Sequence, residues 1–149
     1  VNKDCDWFNH TDISKEFAKI GIGYTMADKN AESIPFINVR DTSFLKRTWV
    51  YDESLKCYLA KLDHDSIEKM LTIWTRSKSI SIEEQALAVI STALREYFFY
   101  GEKVFEEKRK LLINIVNELN YNIWVTESTF PTWNELVEDF RRNSKHVVW

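Results

Sequence analysis

Apolar positions follow two different periods along this chain. Up to about residue 62 they alternate or come in short runs, and beyond residue 65 they recur at helical spacing, so the pattern predicts an α+β fold that is mainly helical. One helix comes first: "TDISKEFAKIG" aligns Ile13, Phe17 and Ile20, with Thr11 or Asp12 as the expected cap and Gly21 as the stop. "IGYTM" then predicts a strand and "ADKNAES" a polar turn around Asp28 and Asn30. "FINV" and "SFLKRTWVY" predict further strands, and "YDES" turns the chain into a returning strand, "LKCYLAKL".

The helical part opens with "DSIEKMLTIW", where Ile67, Met70, Leu71 and Trp74 share a face behind a cap at Ser66 or Asp65. Ser81 and Glu84 have capping-box spacing, and Val89, Ile90, Ala93, Leu94, Tyr97 and Phe98 form the next stripe, ended by Gly101. Phe105, Leu112, Ile115 and Leu119 predict a third helix. A last one follows Pro131, with Thr132 and Glu135 again in capping-box spacing and Trp133, Leu136, Val137 and Phe140 on its buried face. The expected layout is a small antiparallel β portion over residues 1–62 and a helical bundle over residues 63–149.

Within "TSFLKRTWV" the pattern is interrupted by two cations. Read as one strand, Phe44, Lys46, Thr48 and Val50 share one face and Leu45, Arg47 and Trp49 the other, so each face carries a charge that must meet water, a carboxylate or an external anion. Edge protection against aggregation explains such charges, and so does contact with a phosphate backbone.

Composition narrows the choice. With 149 residues, 44% hydrophobic and 14% aromatic, the chain can bury a real core. A net charge of -3 and a pI of about 5.7 disfavour a free-standing nucleic-acid binder, so any RNA contact has to be local. Cys5 and Cys57 lack metal-ligand spacing and read as reduced thiols. No apolar run approaches a membrane span and nothing resembles a signal peptide; the start at Val1 is expected of a processed product or a fragment.

Motif chemistry is sparse. There is no Gly-rich phosphate loop, no nucleophile elbow and no metal-binding cluster, and His10, His64 and His146 each read as a turn or cap residue. Glu83/Glu84 and Glu106/Glu107 read as solvated helix faces.

The order of the pieces carries more. "YTMADK" (Tyr24 to Lys29), a short extended segment, "FLKR" (Phe44 to Arg47) with its hairpin, and a helix resemble the C-terminal third of picorna-like viral RNA-dependent RNA polymerases. "FPTWNELVEDF" resembles the family's closing helix more loosely. The resemblance implies that residues 1–62 are the end of the palm with the primer-grip hairpin, and residues 63–149 the thumb. It also implies that Lys29 is the general acid for the leaving pyrophosphate, and that Lys46 and Arg47 form the RNA-binding pair, one cation reaching a primer phosphate while the other is held by palm carboxylates. Arg95, Lys103, Lys108 and Arg109 become candidate thumb contacts to the product duplex, and surface helix charges remain the other explanation for those four.

One departure is instructive. The family's metal-binding aspartates lie in earlier palm motifs, including a Gly-Asp-Asp hairpin, and Asp4 and Asp6 lack that setting. The resemblance therefore implies a chain with no metal site of its own, inactive alone, that uses Mg or Mn only within the intact polymerase. Its expected partners are the template-primer duplex, nucleoside triphosphates and the remaining palm and fingers; its expected location is the host cytoplasm at viral replication complexes. The residues themselves leave a second reading open: a non-enzymatic helical protein-interaction module with a small sheet, which suits the acidic pI.

Overall fold

The computed structural model describes residues 5–144, apart from the side chains of Val39 and Ser144. Asp4 and His146 lie outside the described residues. The chain is α+β and mainly helical, and it divides into two compact units, residues 1–59 and residues 60–149.

The first unit opens with α1 (His10–Lys19). Its cap is Asn9 rather than Thr11 or Asp12, because the Asn9 Oδ1 accepts from the Asp12 amide at 3.0 Å. At the other end Gly21 takes φ 77°, its N–H donates to Ala18 O, and Ile22 N–H donates to Phe17 O, a Schellman stop.

The predicted strand "IGYTM" does not form. Residues 22–26 are irregular, and the Tyr24 carbonyl accepts from the Ser14 hydroxyl at 3.0 Å instead of from a neighbouring strand. "FINV" is not a strand either: the Asn38 side chain takes the Arg40 amide at 2.9 Å and its carbonyl takes the Asp41 amide, which winds Val39–Asp41 into a 3₁₀ turn.

The largest correction concerns "SFLKRTWVY", which is two strands. β1 (Ser43–Phe44) pairs antiparallel with β2 (Arg47–Asp52), Phe44 opposite Arg47 and Ser43 opposite Thr48. Leu45 and Lys46 are the two loop residues, at φ 49° and 62°, the backbone sign of a type I′ turn. Thus Lys46 does not share a strand face with Thr48 and Val50. β3 (Cys57–Leu62) follows a turn at Glu53–Lys56, where the Asp52 carboxylate accepts from the Ser54 and Leu55 amides, and the sheet order is β1-β2-β3.

In the second unit α2 (His64–Thr72) is capped by Asp63, whose carboxylate accepts from the Ser66 amide at 2.6 Å, so the cap lies ahead of the predicted Asp65 or Ser66. Trp74 falls beyond the helix. α3 (Ile82–Phe98) has the predicted Ser81–Glu84 capping box, and α5 (Trp133–Ser144) has the Thr132–Glu135 pair in the same arrangement. α4 (Glu102–Glu118) starts at Gly101 and ends with Asn120 at φ 57° in a second Schellman motif, Tyr121 N–H donating to Val116 O.

α3 packs against α2, α4 and α5. Ile67, Ala93 and Tyr97 are buried together, with Met70, Leu71 and Val104 against them, and the side chain of Ala93 is a single methyl, small enough to let α2 and α3 approach closely. Trp133 packs on Phe98 (ring centroids 4.7 Å) and Phe105 (5.6 Å), which ties α5 to α3 and α4. On α4 the buried stripe is Phe105, Leu112 and Val116; the predicted Ile115 and Leu119 are exposed, about one helical position round from it.

Candidate nucleic-acid interface and catalytic loop

The first unit carries three of the predicted site residues. Lys29 occupies the second position of a turn over residues 28–31: Asp28 O accepts from the Ala31 amide at 3.1 Å, and Asp28 Oδ1 accepts from the Asn30 amide at 3.0 Å. The local sequence dictates this shape, since Asp favours an Asx turn over continued pairing. Lys29 is exposed.

Lys46 and Arg47 are brought together at the end of the β1–β2 hairpin, Lys46 in the turn and Arg47 as the first residue of β2. Their neighbours are unusually open: Phe44 is 66% exposed and Leu45 76%. Two adjacent non-glycine residues in left-handed conformations cost roughly 1–2 kcal/mol each, and so exposed a side chain as Leu45 buries little to offset that cost. Strain of this kind belongs with a constrained or functional tip.

The four helical cations are not one patch. On α4, Lys103, Lys108 and Arg109 project in three directions, because five or six residues do not return to the same helix face. Lys108 Nζ lies 5.4 Å from the centroid of the Tyr97 ring. Arg109 donates through Nε to Pro131 O at 3.0 Å and through a terminal nitrogen to Phe130 O at 3.1 Å. Arg95 reaches Ser128 O at 3.4 Å, beside Ser91, whose hydroxyl donates to the same carbonyl. Arg95 and Arg109 therefore hold the segment that leads into α5. Lys103 is exposed.

Three side chains beyond those predicted matter to this region. His10 is not a solvated cap: its ring lies on Tyr24 at 4.8 Å, its Nδ1 is 2.8 Å from Ser33 Oγ, and Nε2 is buried with no hydrogen-bond partner among the described residues. Ser14 and Ser33 complete the group. The only signal in the sequence is that His10 and Ser14 stand four apart on one helix face; Ser33 is remote.

The titration shifts are local and structural. Burial raises the Cys57 thiol, with the Asp52 charge adding to it, and burial likewise raises the Tyr97 and Tyr100 hydroxyls. Both cysteines are free thiols.

Comparison with known proteins bears on what this arrangement serves. A family described as viral RNA-dependent RNA polymerase matches residues 1–117. The replicase polyprotein of Cricket paralysis virus is 32% identical over 104 residues, 70% of this chain and 6% of that polyprotein. That of Drosophila C virus is 28% identical over 139 residues, 92% of this chain and 8% of the polyprotein. The RNA1 polyprotein of Satsuma dwarf virus is 35% identical over 98 residues, 66% of this chain and 5% of the polyprotein. The chain thus spans less than a tenth of each of these relatives.

Proposed function

This chain belongs to the viral RNA-dependent RNA polymerase family, in its picorna-like branch, and we propose that it serves RNA-templated nucleotidyl transfer by holding the primer and product duplex and by presenting Lys29 as general acid. The observation that carries the reading is the β1–β2 tip, where a strained two-residue turn fixes Lys46 and Arg47 side by side. Phosphate contacts position a duplex without reading its sequence, which a template-copying enzyme requires. Lys29 would donate a proton to the pyrophosphate as its charge develops, and the exposed turn at residues 28–31 suits that task.

The helical unit is the proposed thumb. Lys103 and Lys108 are its candidate phosphate contacts; Arg95 and Arg109, engaged by carbonyls of the segment before α5, would act there mainly by shaping the surface. Large apolar residues of the first unit, among them Trp7, Ile20 and Phe36, are exposed and would be covered by the remaining palm and fingers.

Divalent metal is part of the family's chemistry. Among the described residues no three His, Cys, Asp or Glu side chains come together to hold a metal ion. Among the same residues no helix is long and apolar enough to cross a membrane.

The test is residence time on a primed template. In the intact polymerase, Lys46→Ala and Arg47→Ala are expected to shorten it for all sequences alike, and the loss should grow with salt. A change in base selection at unaltered RNA affinity would remove the hairpin from this role.

A further inference from the structure

Helix α1 holds both ends of the segment that carries Lys29. At one end the Ser14 hydroxyl donates to Tyr24 O at 3.0 Å, and the Tyr24 ring rests between His10 (4.8 Å) and Phe17 (5.4 Å). At the other end Ser33 Oγ lies 2.8 Å from His10 Nδ1 and 3.2 Å from Thr11 Oγ1, and Pro35 O accepts from the His10 amide at 3.1 Å. His10, Ser14 and Phe17 lie on one face of α1, so a single rigid surface meets residues nine apart in the chain.

Between these anchors the turn at residues 28–31 is held by bonds within itself, from Asp28 to Asn30 and Ala31. The position of Lys29 therefore follows from where its stems are tied, and α1 ties both of them. Whichever tautomer His10 adopts, Nδ1 and Ser33 Oγ can share a proton, because a hydroxyl both donates and accepts.

We propose that His10 and Ser33 are positioning residues for Lys29: their bond, with that of Ser14 to Tyr24 O, sets how closely the lysine approaches its target. This rests on the reading of Lys29 as the general acid. An ångström of misplacement can cost about 10²-fold in rate, so a clasp at the stems is enough to govern a proton donor at the tip.

The experiment is single-turnover nucleotide incorporation by the intact polymerase, with Ser33→Ala, His10→Leu and His10→Asn made in the parent and in Lys29→Leu. Asparagine can keep a polar atom near the place of Nδ1, and since Nε2 has no partner among the described residues its loss removes no bond there. Expected are a roughly 10-fold slowing by Ser33→Ala and His10→Leu in the parent, near-parental rates for His10→Asn, and less than about 2-fold further slowing in Lys29→Leu, with primed-template affinity unchanged throughout. Equal slowing in both backgrounds would reduce the clasp to ordinary structural support and overturn the proposal. Parental rates for Ser33→Ala beside a slow Lys29→Leu would overturn the clasp while leaving Lys29 its role. A Lys29→Leu enzyme as fast as the parent would overturn both.

Discussion

Phe44 and Arg47 stand opposite each other across a turn of only two residues, Leu45 and Lys46, so the hairpin bends at the place where uninterrupted strand pairing is predicted from the residue pattern. The physical tension lies in the turn. Its φ values suit Asn-Gly, whereas this chain supplies Leu and Lys. Replacing the pair by Leu45→Asn with Lys46→Gly is expected to stabilise the hairpin by about 1 kcal/mol, seen as slower amide exchange across β1 and β2. Faster exchange would mean that Leu45 makes a contribution its exposure hides.

Lys29 offers a chemical prediction. In the intact polymerase Lys29→Leu is expected to slow the chemical step by about 10²- to 10⁴-fold with RNA binding nearly unchanged. Lys29→His should keep more activity and bring the alkaline decline of the rate to lower pH, because an imidazolium gives up its proton before an ammonium does. The pre-steady-state rate against pH is the measurement, and superimposable profiles for lysine and histidine would deny Lys29 a proton-donating role.

Two capping boxes make the helical unit sensitive to acid. The backbone and side chain of Ser81 hold Glu84, and those of Thr132 hold Glu135, below the ordinary carboxylate value of about 4.3. A carboxylate depressed by folding contributes stability that is fully present above its unfolded value and is lost as pH falls through the folded one. Thermal midpoints of the chain are therefore expected to drop below about pH 4.3, and less steeply in Glu84→Gln with Glu135→Gln, since the amide can still accept but does not titrate there. An unchanged acid slope in the double variant would place the sensitivity elsewhere.

Arg109 separates stability from RNA contact. Its guanidinium donates to Phe130 O and Pro131 O, and bonds to a charged group contribute about 1.5–3 kcal/mol each. Arg109→Ala should lower the urea midpoint of the chain clearly, whereas Lys103→Ala should leave it unchanged to within about 0.5 kcal/mol. Equal midpoints for Arg109→Ala and parent would return Arg109 to the list of candidate RNA contacts.

What was legible in the residues follows from local rules. The helices of the second unit rest on apolar spacing and on caps within three residues, so Ser81–Glu84 and Thr132–Glu135 can be read directly, as can the stop at Gly21. Asp28 announces its own turn. The order of "YTMADK" and "FLKR" carried the family, and the match over residues 1–117 agrees.

Strands are different, because a strand exists only where a neighbour takes its amides and carbonyls. "IGYTM" and "FINV" have the composition of strands, yet Ser14 takes the Tyr24 carbonyl and Asn38 folds its own segment into a 3₁₀ turn. Likewise the residues named two arginines of the helical unit as cations, and only tertiary structure decided that Arg95 and Arg109 spend hydrogen bonds on carbonyls at residues 128–131. The tie between Ser33 and His10, 23 residues apart, belongs to the same class: periodicity orders residues along one element, and contacts between elements are fixed only when the chain closes on itself.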